Sequence, residues 1–138
     1  MERKEFLKRC VALTAGVACM DLMLAGCASL PYAEYVMDEG GAVVKKTDFD
    51  DKGFVLLEVA RLPAPVYVRQ VDADDYTAVL LRCTHRGCTV QPSRNLLECP
   101  CHGSRYNNRG EVVKGPASRN LRPYPVTADA EYVRIALS

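Results

Sequence analysis

The chain lacks several features that would assign it directly to a class of protein. Its formal net charge is only +1 over 138 residues, so a strongly basic nucleic-acid-binding protein is excluded, and no nucleic-acid partner is expected. With 49% apolar and 25% charged residues the composition is that of a globular domain. Internal repeats are absent, and no sustained helical period follows Cys27. At this length we expect one domain.

A long apolar run is also missing. Residues 10–26 follow the basic start "MERKEFLKR" and form an apolar stretch of seventeen that contains Asp21. A spanning helix needs about 20 apolar residues, and an Asp at mid-membrane costs roughly 2.5 to 3.5 kcal/mol on insertion scales. We therefore expect residues 1–26 to be a signal peptide rather than a permanent anchor helix.

The end of this stretch, "LAGC" at residues 24–27, resembles the lipobox of bacterial lipoproteins. The resemblance implies that Cys27 is lipidated and becomes the N-terminus, against the alternative of a buried cysteine in a core helix. "RKEFLK" is similar to a twin-arginine export signal with Lys4 in place of the second arginine, so the Tat and Sec routes both stay open. Either route implies a lipid-anchored protein on the periplasmic side of a bacterial membrane, where disulfides persist.

Beyond the signal, the pattern predicts an all-β fold. Residues 27–41 show no sustained period, and we expect them to be the lipidated N-terminus and a tether to a domain over residues 42–138. "PVYVRQV" and "YTAVLLRC" flank "DADD", which indicates a hairpin, and "YPVTADAEYVRIAL" contains two alternating runs. Val66, Val68, Val79 and Leu81 alternate with polar or exposed positions, as in a half-buried antiparallel sheet. A sandwich or small barrel of antiparallel strands is expected.

Charge is unevenly distributed along the expected domain. Residues 28–81 contain ten acids and five bases, whereas residues 82–122 contain eight bases and two acids. The bases of this second stretch are Arg82, Arg86, Arg94, Arg105, Arg109, Lys114, Arg119 and Arg122. The local excess of six positive charges surrounds the most unusual part of the sequence.

That part is a pair of short segments, "CTHRGC" at residues 83–88 and "CPCHGSRY" at residues 99–106. Together they hold both histidines of the chain and four of its seven cysteines. Two thiolates and two imidazoles can close a tetrahedral zinc site or bind both ends of a two-iron cluster. A zinc site leaves two cysteines unexplained, and a pure disulfide framework leaves both histidines unexplained.

The two segments closely resemble the cluster-binding boxes of Rieske 2Fe-2S proteins of the type found in cytochrome bc and bf complexes. The resemblance implies a Rieske-type antiparallel β-sandwich with a small cluster-binding subdomain at about residues 82–117. It also implies one 2Fe-2S cluster and a disulfide between the loops. The implied ligands are Cys83 and Cys99 on one iron and His85 and His102 on the other, and the implied disulfide joins Cys88 and Cys101.

The family's high-potential branch provides further expectations. Its members place a serine and a tyrosine after the second box, where their hydroxyls donate to a bridging sulfide and to a cysteine ligand, and Ser104 and Tyr106 match these positions. Oxygenase-type Rieske domains typically lack the disulfide cysteines, so Cys88 and Cys101 favour the high-potential branch. "GPAS", residues 115–118, resembles the proline-containing loop that covers the cluster in this family.

The resemblance implies one-electron transfer as a subunit of a membrane-associated quinol-oxidising complex or of a periplasmic oxidoreductase. The implied partners are redox proteins such as a cytochrome b or c. No general base, nucleophile or substrate pocket is evident, so we expect a carrier rather than a complete enzyme. The alternatives are the small Rieske subunit of a molybdenum enzyme of the arsenite oxidase type and, in another class, a zinc-bound structural lipoprotein.

One residue departs from the family pattern. In bc-type proteins the position after the first-box histidine is usually leucine, close to where quinol docks, and here it is Arg86. A guanidinium is a poor lining for an apolar quinol pocket and a good contact for an acidic surface. Arg86 and the surrounding positive charge therefore favour docking to an acidic redox partner.

Overall fold

The structure, a computed structural model, describes residues 29–138. Short strands dominate this range, with a 3₁₀ helix at Lys46–Asp48, and the expected all-β class is confirmed. In chain order the strands are β1 Val36–Asp38, β2 Gly41–Lys45, β3 Phe54–Leu57, β4 Val66–Asp72, β5 Asp75–Leu80, β6 Gln91–Ser93, β7 Leu96–Glu98, β8 Arg105–Tyr106, β9 Val112–Lys114, β10 Pro123–Tyr124, β11 Val126–Ala128 and β12 Tyr132–Ile135.

Two sequence expectations fall beyond this range. The signal peptide over residues 1–26 and the lipidation site Cys27 both lie outside the described residues. Over residues 29–138, no helix has the length and apolarity that crossing a membrane requires.

The strands form three antiparallel sheets of four strands each. Their orders are β1-β2-β12-β11, β10-β5-β4-β3 and β6-β7-β8-β9. The expected hairpin around "DADD" is present, since β4 pairs with β5 along almost its whole length. The two alternating runs near the C-terminus become β11 and β12, which pair with each other. Because β12 also pairs with β2, the last strand is hydrogen-bonded to one of the first.

The sheet β10-β5-β4-β3 is buried on both faces, so the expectation of a half-buried sheet was wrong. Val66 and Val68 face the core shared with β2 and β12. Tyr67, Val79 and Leu81 face a second core shared with β7 and β8. The third sheet covers the face that would otherwise meet solvent, which explains why β3 and β5 contain apolar residues at successive positions.

The first core has the composition of a β-sandwich. Ala42 and Val44 of β2 and Val133 and Ile135 of β12 are almost completely buried against the middle sheet. Gly41 begins β2 with φ +126°, and a Cβ at this position would collide with the backbone carbonyl of Ile135. Only glycine combines that backbone conformation with so close an approach of the two strands.

The segment expected to be a tether belongs to the sheets from about Pro31 onward. The backbone amide of Leu56 donates to the carbonyl of Pro31, and the amide of Ala33 donates to the carbonyl of Leu56. Further along, β1 pairs with β2. All three residues of β1 are exposed, so this strand has no apolar alternation by which the sequence could have indicated it.

Candidate metal centre

Two loops at one end of the second core hold the cysteines and histidines that the sequence singled out. Residues 83–88 lie between β5 and β6, and residues 99–104 lie between β7 and β8. Leu97 and Tyr106 are fully buried in the core beneath them. The loops are therefore anchored at their ends by the central sheet and by the third sheet.

The first loop is closed by its own backbone. The amide of Cys83 donates to the carbonyl of Cys88 at 2.8 Å, and the amide of Gly87 donates back to the carbonyl of Cys83 at 2.8 Å. Gly87 has φ +80°, in the left-handed region that glycine adopts without strain. The loop is a tight, self-supporting turn that begins at a buried cysteine.

The second loop repeats this arrangement. The amide of Cys99 donates to the carbonyl of Ser104 at 2.8 Å, and the amide of Gly103 donates to the carbonyl of Cys99 at 3.0 Å. Gly103 has φ +78°. Two turns of the same shape thus present Cys83 and Cys99 in equivalent positions.

A disulfide joins the loops, as predicted. Cys88 and Cys101 are bonded, whereas Cys83 and Cys99 are free thiols that are only 3% and 2% exposed. The sulfurs of Cys88, Cys99 and Cys101 lie within 4.8 Å of one another. Since two of these three are bonded to each other, Cys99 is the only one of them with a thiolate to offer a metal.

The two histidines face each other across the gap between the loops. Their ring centroids are 4.8 Å apart and their planes are nearly perpendicular, at 85°. His102 is exposed and His85 is half-buried. The Nδ1 atom of His85 is buried and has no hydrogen-bond partner among the described residues. A buried ring nitrogen without a partner is what an imidazole that binds a metal would present.

Tyr106 reaches the first loop from β8. Its hydroxyl lies 3.3 Å from Cys83 Sγ and accepts a hydrogen bond from the backbone amide of Thr84 at 3.3 Å. Burial raises the pKa of Tyr106, and the hydrogen bond to Cys83 adds to this shift. The phenol therefore keeps its proton and is suited to donate it to sulfur.

The environment of Cys83 favours its thiolate. Burial raises the pKa of the thiol, but hydrogen bonds from Tyr106 and from the backbone amide of His85 outweigh burial, and the pKa falls below its ordinary value. Contacts with Cys99 and Ser104 act in the same direction. A thiol held in this way is prepared to ligate a cation.

Ser104 is completely buried, and among the described residues it is the only buried side chain that is not hydrophobic or aromatic. Its Oγ accepts a hydrogen bond from the backbone amide of Ala117 at 3.0 Å. Since the oxygen is the acceptor in that bond, the hydroxyl hydrogen remains available to the space beside Cys83. The same contact places the "GPAS" segment against the second loop.

Sequence reasoning missed a further contact that holds the first loop. Thr84 Oγ1 donates to the carbonyl of Arg119 at 2.6 Å, and Arg119 Nη2 donates to the carbonyl of Thr84 at 3.4 Å. The two residues are 35 positions apart, and neither belongs to a pattern that would connect them. The reciprocal pair fixes the segment after "GPAS" to the first loop.

The site thus contains the donors that a mixed cysteine and histidine centre requires. The fold brings the two free thiols into contact with each other and the two imidazoles into contact with each other. With the buried, unpartnered Nδ1 of His85, this set fits a two-iron cluster that takes two thiolates and two imidazoles.

Comparison with known proteins distinguishes between a zinc ion and a 2Fe-2S cluster as the cofactor. The profile of the Rieske [2Fe-2S] domain matches residues 39–125, which is more than half of the 138-residue chain. A two-iron, two-sulfide cluster is therefore the cofactor, and the alternative of a zinc site is set aside.

Curated relatives and a solved structure agree with this match. The cytochrome b6-f complex iron-sulfur subunit of Synechococcus sp. (strain JA-3-3Ab) is 46% identical over 56 residues, which are 39% of this chain and 33% of the relative. Subunit 2 of Nostoc sp. (strain PCC 7120) is 38% identical over 76 residues, 54% of this chain and 43% of the relative. The chain thus spans less than half the length of these relatives.

The crystal structure of the plasma membrane Rieske protein PetC3 from Synechocystis PCC 6803 superposes with a TM-score of 0.58 at 30% identity. The match covers 66% of this chain and 93% of that protein. The likeness therefore includes nearly the whole of the solved protein.

Proposed function

The chain belongs to the Rieske [2Fe-2S] domain family, and from this premise we propose that it carries single electrons at high reduction potential. The observation that carries the proposal is the pair of equivalent loops, each with one buried free cysteine and one histidine, joined by a disulfide. A bound 2Fe-2S cluster supplies reversible one-electron chemistry, and the residues of the chain set its potential and its access to partners.

In this proposal Cys83 and Cys99 ligate one iron, and His85 and His102 ligate the other. The lowered pKa of Cys83 and the contact between the two buried thiols support the first pair. The facing rings and the unpartnered Nδ1 of His85 support the second. Because His102 is exposed, its side of the site is where an electron enters or leaves.

The ligand set favours a high potential. In the oxidised centre, two ferric ions, two sulfides, two thiolates and two neutral imidazoles have no net charge. With four thiolates in place of the mixed ligands, the centre has a charge of minus two. Adding an electron to the neutral centre is easier, which fits the range of about −150 to +300 mV for Rieske centres against about −400 mV for plant-type ferredoxins. Hydroxyl donors beside the site raise the potential further, because they stabilise the more negative reduced state.

Spectroscopy of the wild-type protein tests the proposal. Protein purified in air should be red-brown, contain two irons and two acid-labile sulfides per chain, and show a rhombic EPR signal only after reduction. A redox titration should place the midpoint in the upper part of the Rieske range. A colourless protein with zinc and no labile sulfide would refute it.

The hydroxyls of Ser104 and Tyr106 give a second test. Ser104→Ala and Tyr106→Phe should each lower the midpoint by on the order of 50 mV, since removing a tenfold preference for the reduced state shifts a one-electron couple by about 59 mV. Protein-film voltammetry measures this shift while absorbance confirms that the cluster is retained.

Tyr67→Phe is the matched control for these variants. Tyr67 is buried in the same core, but its hydroxyl donates to Asn108 and accepts from Arg69 rather than contacting Cys83. Its loss should leave the midpoint unchanged. Equal shifts in all three variants would mean that general loosening of the core, rather than hydrogen bonding at the site, controls the potential.

The cellular setting is part of the proposal. The b6-f relatives and the plasma membrane PetC3 protein support a subunit of a membrane-associated quinol-oxidising complex. The lipobox-like "LAGC" at residues 24–27 supports attachment to the periplasmic side of the membrane through lipidated Cys27. Haem-stained native gels of detergent-solubilised membranes should find the chain migrating with a b-type cytochrome.

Mass spectrometry should find Cys27 acylated at the mature N-terminus, and an intact upstream sequence would contradict the anchor.

A further inference from the structure

Three arginines surround the first loop. Arg82 directly precedes Cys83, Arg86 directly follows His85, and Arg119 contacts the loop from the segment after "GPAS". All three are exposed. We call Arg82, Arg86 and Arg119 the basic collar.

Two members of the collar are held in place by specific contacts. A Cβ on Gly87 would lie 3.1 Å from Arg82 Nε and 3.3 Å from Arg82 Nη2, so this guanidinium packs against the turn of the loop. Arg119 is fixed by its reciprocal hydrogen bonds with Thr84. Arg86 lies on the loop itself. The charges are therefore positioned relative to the loop and do not depend on freely moving side chains.

No described acid neutralises the collar. The two acids of residues 82–122 have other partners: Glu98 forms an ion pair with Arg105 at 3.1 Å, and Glu111 accepts a hydrogen bond from Asn107 at 2.6 Å. Arg109 pairs with Asp75. Among residues 29–138, none of the three collar arginines forms an ion pair. The loop that carries His85 is thus bordered by three uncompensated positive charges.

We propose that the collar docks an electron-transfer protein with an acidic surface, and this inference rests on the electron transfer proposed above. Guanidinium groups pair with carboxylates through two parallel hydrogen bonds and steer acidic partners during encounter. In such a complex the reduced 2Fe-2S cluster would give one electron to the oxidised partner, so that the cluster is oxidised and the partner is reduced, with no bond or proton exchanged.

The experiment compares the wild type with two variants that introduce the same change of charge. Arg86→Glu reverses a collar charge. Lys45→Glu reverses an exposed charge on β2, whose buried residues belong to the first core and not to the core beneath the loops. The probes are one acidic and one basic soluble c-type cytochrome. Stopped-flow absorbance gives the rate constant for oxidation of the reduced protein at several ionic strengths, and calorimetry gives the Kd for the acidic cytochrome.

The collar predicts a specific pattern. The acidic cytochrome should react faster than the basic one at low salt, and its rate should fall as salt rises. Arg86→Glu should slow the acidic cytochrome by about fivefold or more and weaken its Kd similarly, whereas Lys45→Glu should change both by less than about twofold. Equal effects of the two variants, or rates without salt dependence, would overturn the proposal.

Two further readouts separate this inference from the proposed function. The absorbance and EPR signal of the wild type report the cluster, so a wild type without a cluster would count against the proposed function, whereas the Kd for the acidic cytochrome still tests the collar. Phosphatidylglycerol vesicles test the alternative that the collar binds a membrane surface. If the wild type binds these vesicles but not the acidic cytochrome, and Arg86→Glu no longer binds the vesicles, the inference would be overturned in favour of a membrane surface.

Discussion

Replacing His85 or His102 with cysteine should lower the reduction potential by about 125 mV or more. Each substitution exchanges a neutral imidazole for a thiolate and adds one negative charge to the centre. Rieske centres and all-cysteine plant-type clusters differ by at least about 250 mV for an exchange of two ligands. Since His85 is half-buried, its substitution should have at least as large an effect as that of the exposed His102.

Redox titration followed by EPR measures the shift. Asn95→Cys is a suitable control, because it adds an exposed thiol at the turn between β6 and β7, away from the loops. That variant should keep the wild-type midpoint. A histidine variant that folds, as judged by circular dichroism, but purifies without a cluster would also support the ligand assignment. Wild-type spectra and an unchanged midpoint in both histidine variants would refute it.

The chemistry of the site was predictable from sequence because it is local. Each loop spans six residues and is closed by bonds between its own ends, so the spacing of Cys83, His85 and Cys88 already describes one half of the centre. The disulfide prediction came from the family resemblance, and the structure confirms it. Nothing in the composition alone would have chosen Cys88 and Cys101 over the other possible pairs.

The parts that sequence could not predict depend on contacts between distant residues. The strand β1 is fully exposed and has no alternation, so only its pairing with β2 identifies it. The middle sheet is buried on both faces because the third sheet packs on it, and a periodicity argument assumes a single core. The pair of Thr84 and Arg119 joins two loops that have no shared motif.

Removing the disulfide should destabilise the folded protein by about 3 kcal/mol. Cys88 and Cys101 are 13 residues apart, and in the chain-entropy model a bond that closes a loop of about 15 residues contributes about 3 kcal/mol at 25 °C. The interval contains β6, β7 and Cys99. Without the bond, the segment that forms these strands of the third sheet therefore has more conformational freedom in the unfolded state. Denaturant unfolding of Cys88→Ala, Cys101→Ala and the double variant measures the loss.

The three variants distinguish the bond from ordinary packing. If the disulfide is responsible, each single variant should lose as much as the double variant, because either substitution breaks the same bond, whereas independent losses of packing would add. Cys101 is exposed, so a thiol reductant should reach the bond in the wild type and produce the same loss without any substitution. Additive losses, or a reduced wild type as stable as the oxidised one, would contradict the prediction. Because the bond joins the two loops of the proposed cluster site, the same variants should also lose their visible absorbance at a lower temperature than the wild type. An unchanged bleaching temperature would mean that the core under the loops is sufficient to hold the loops together.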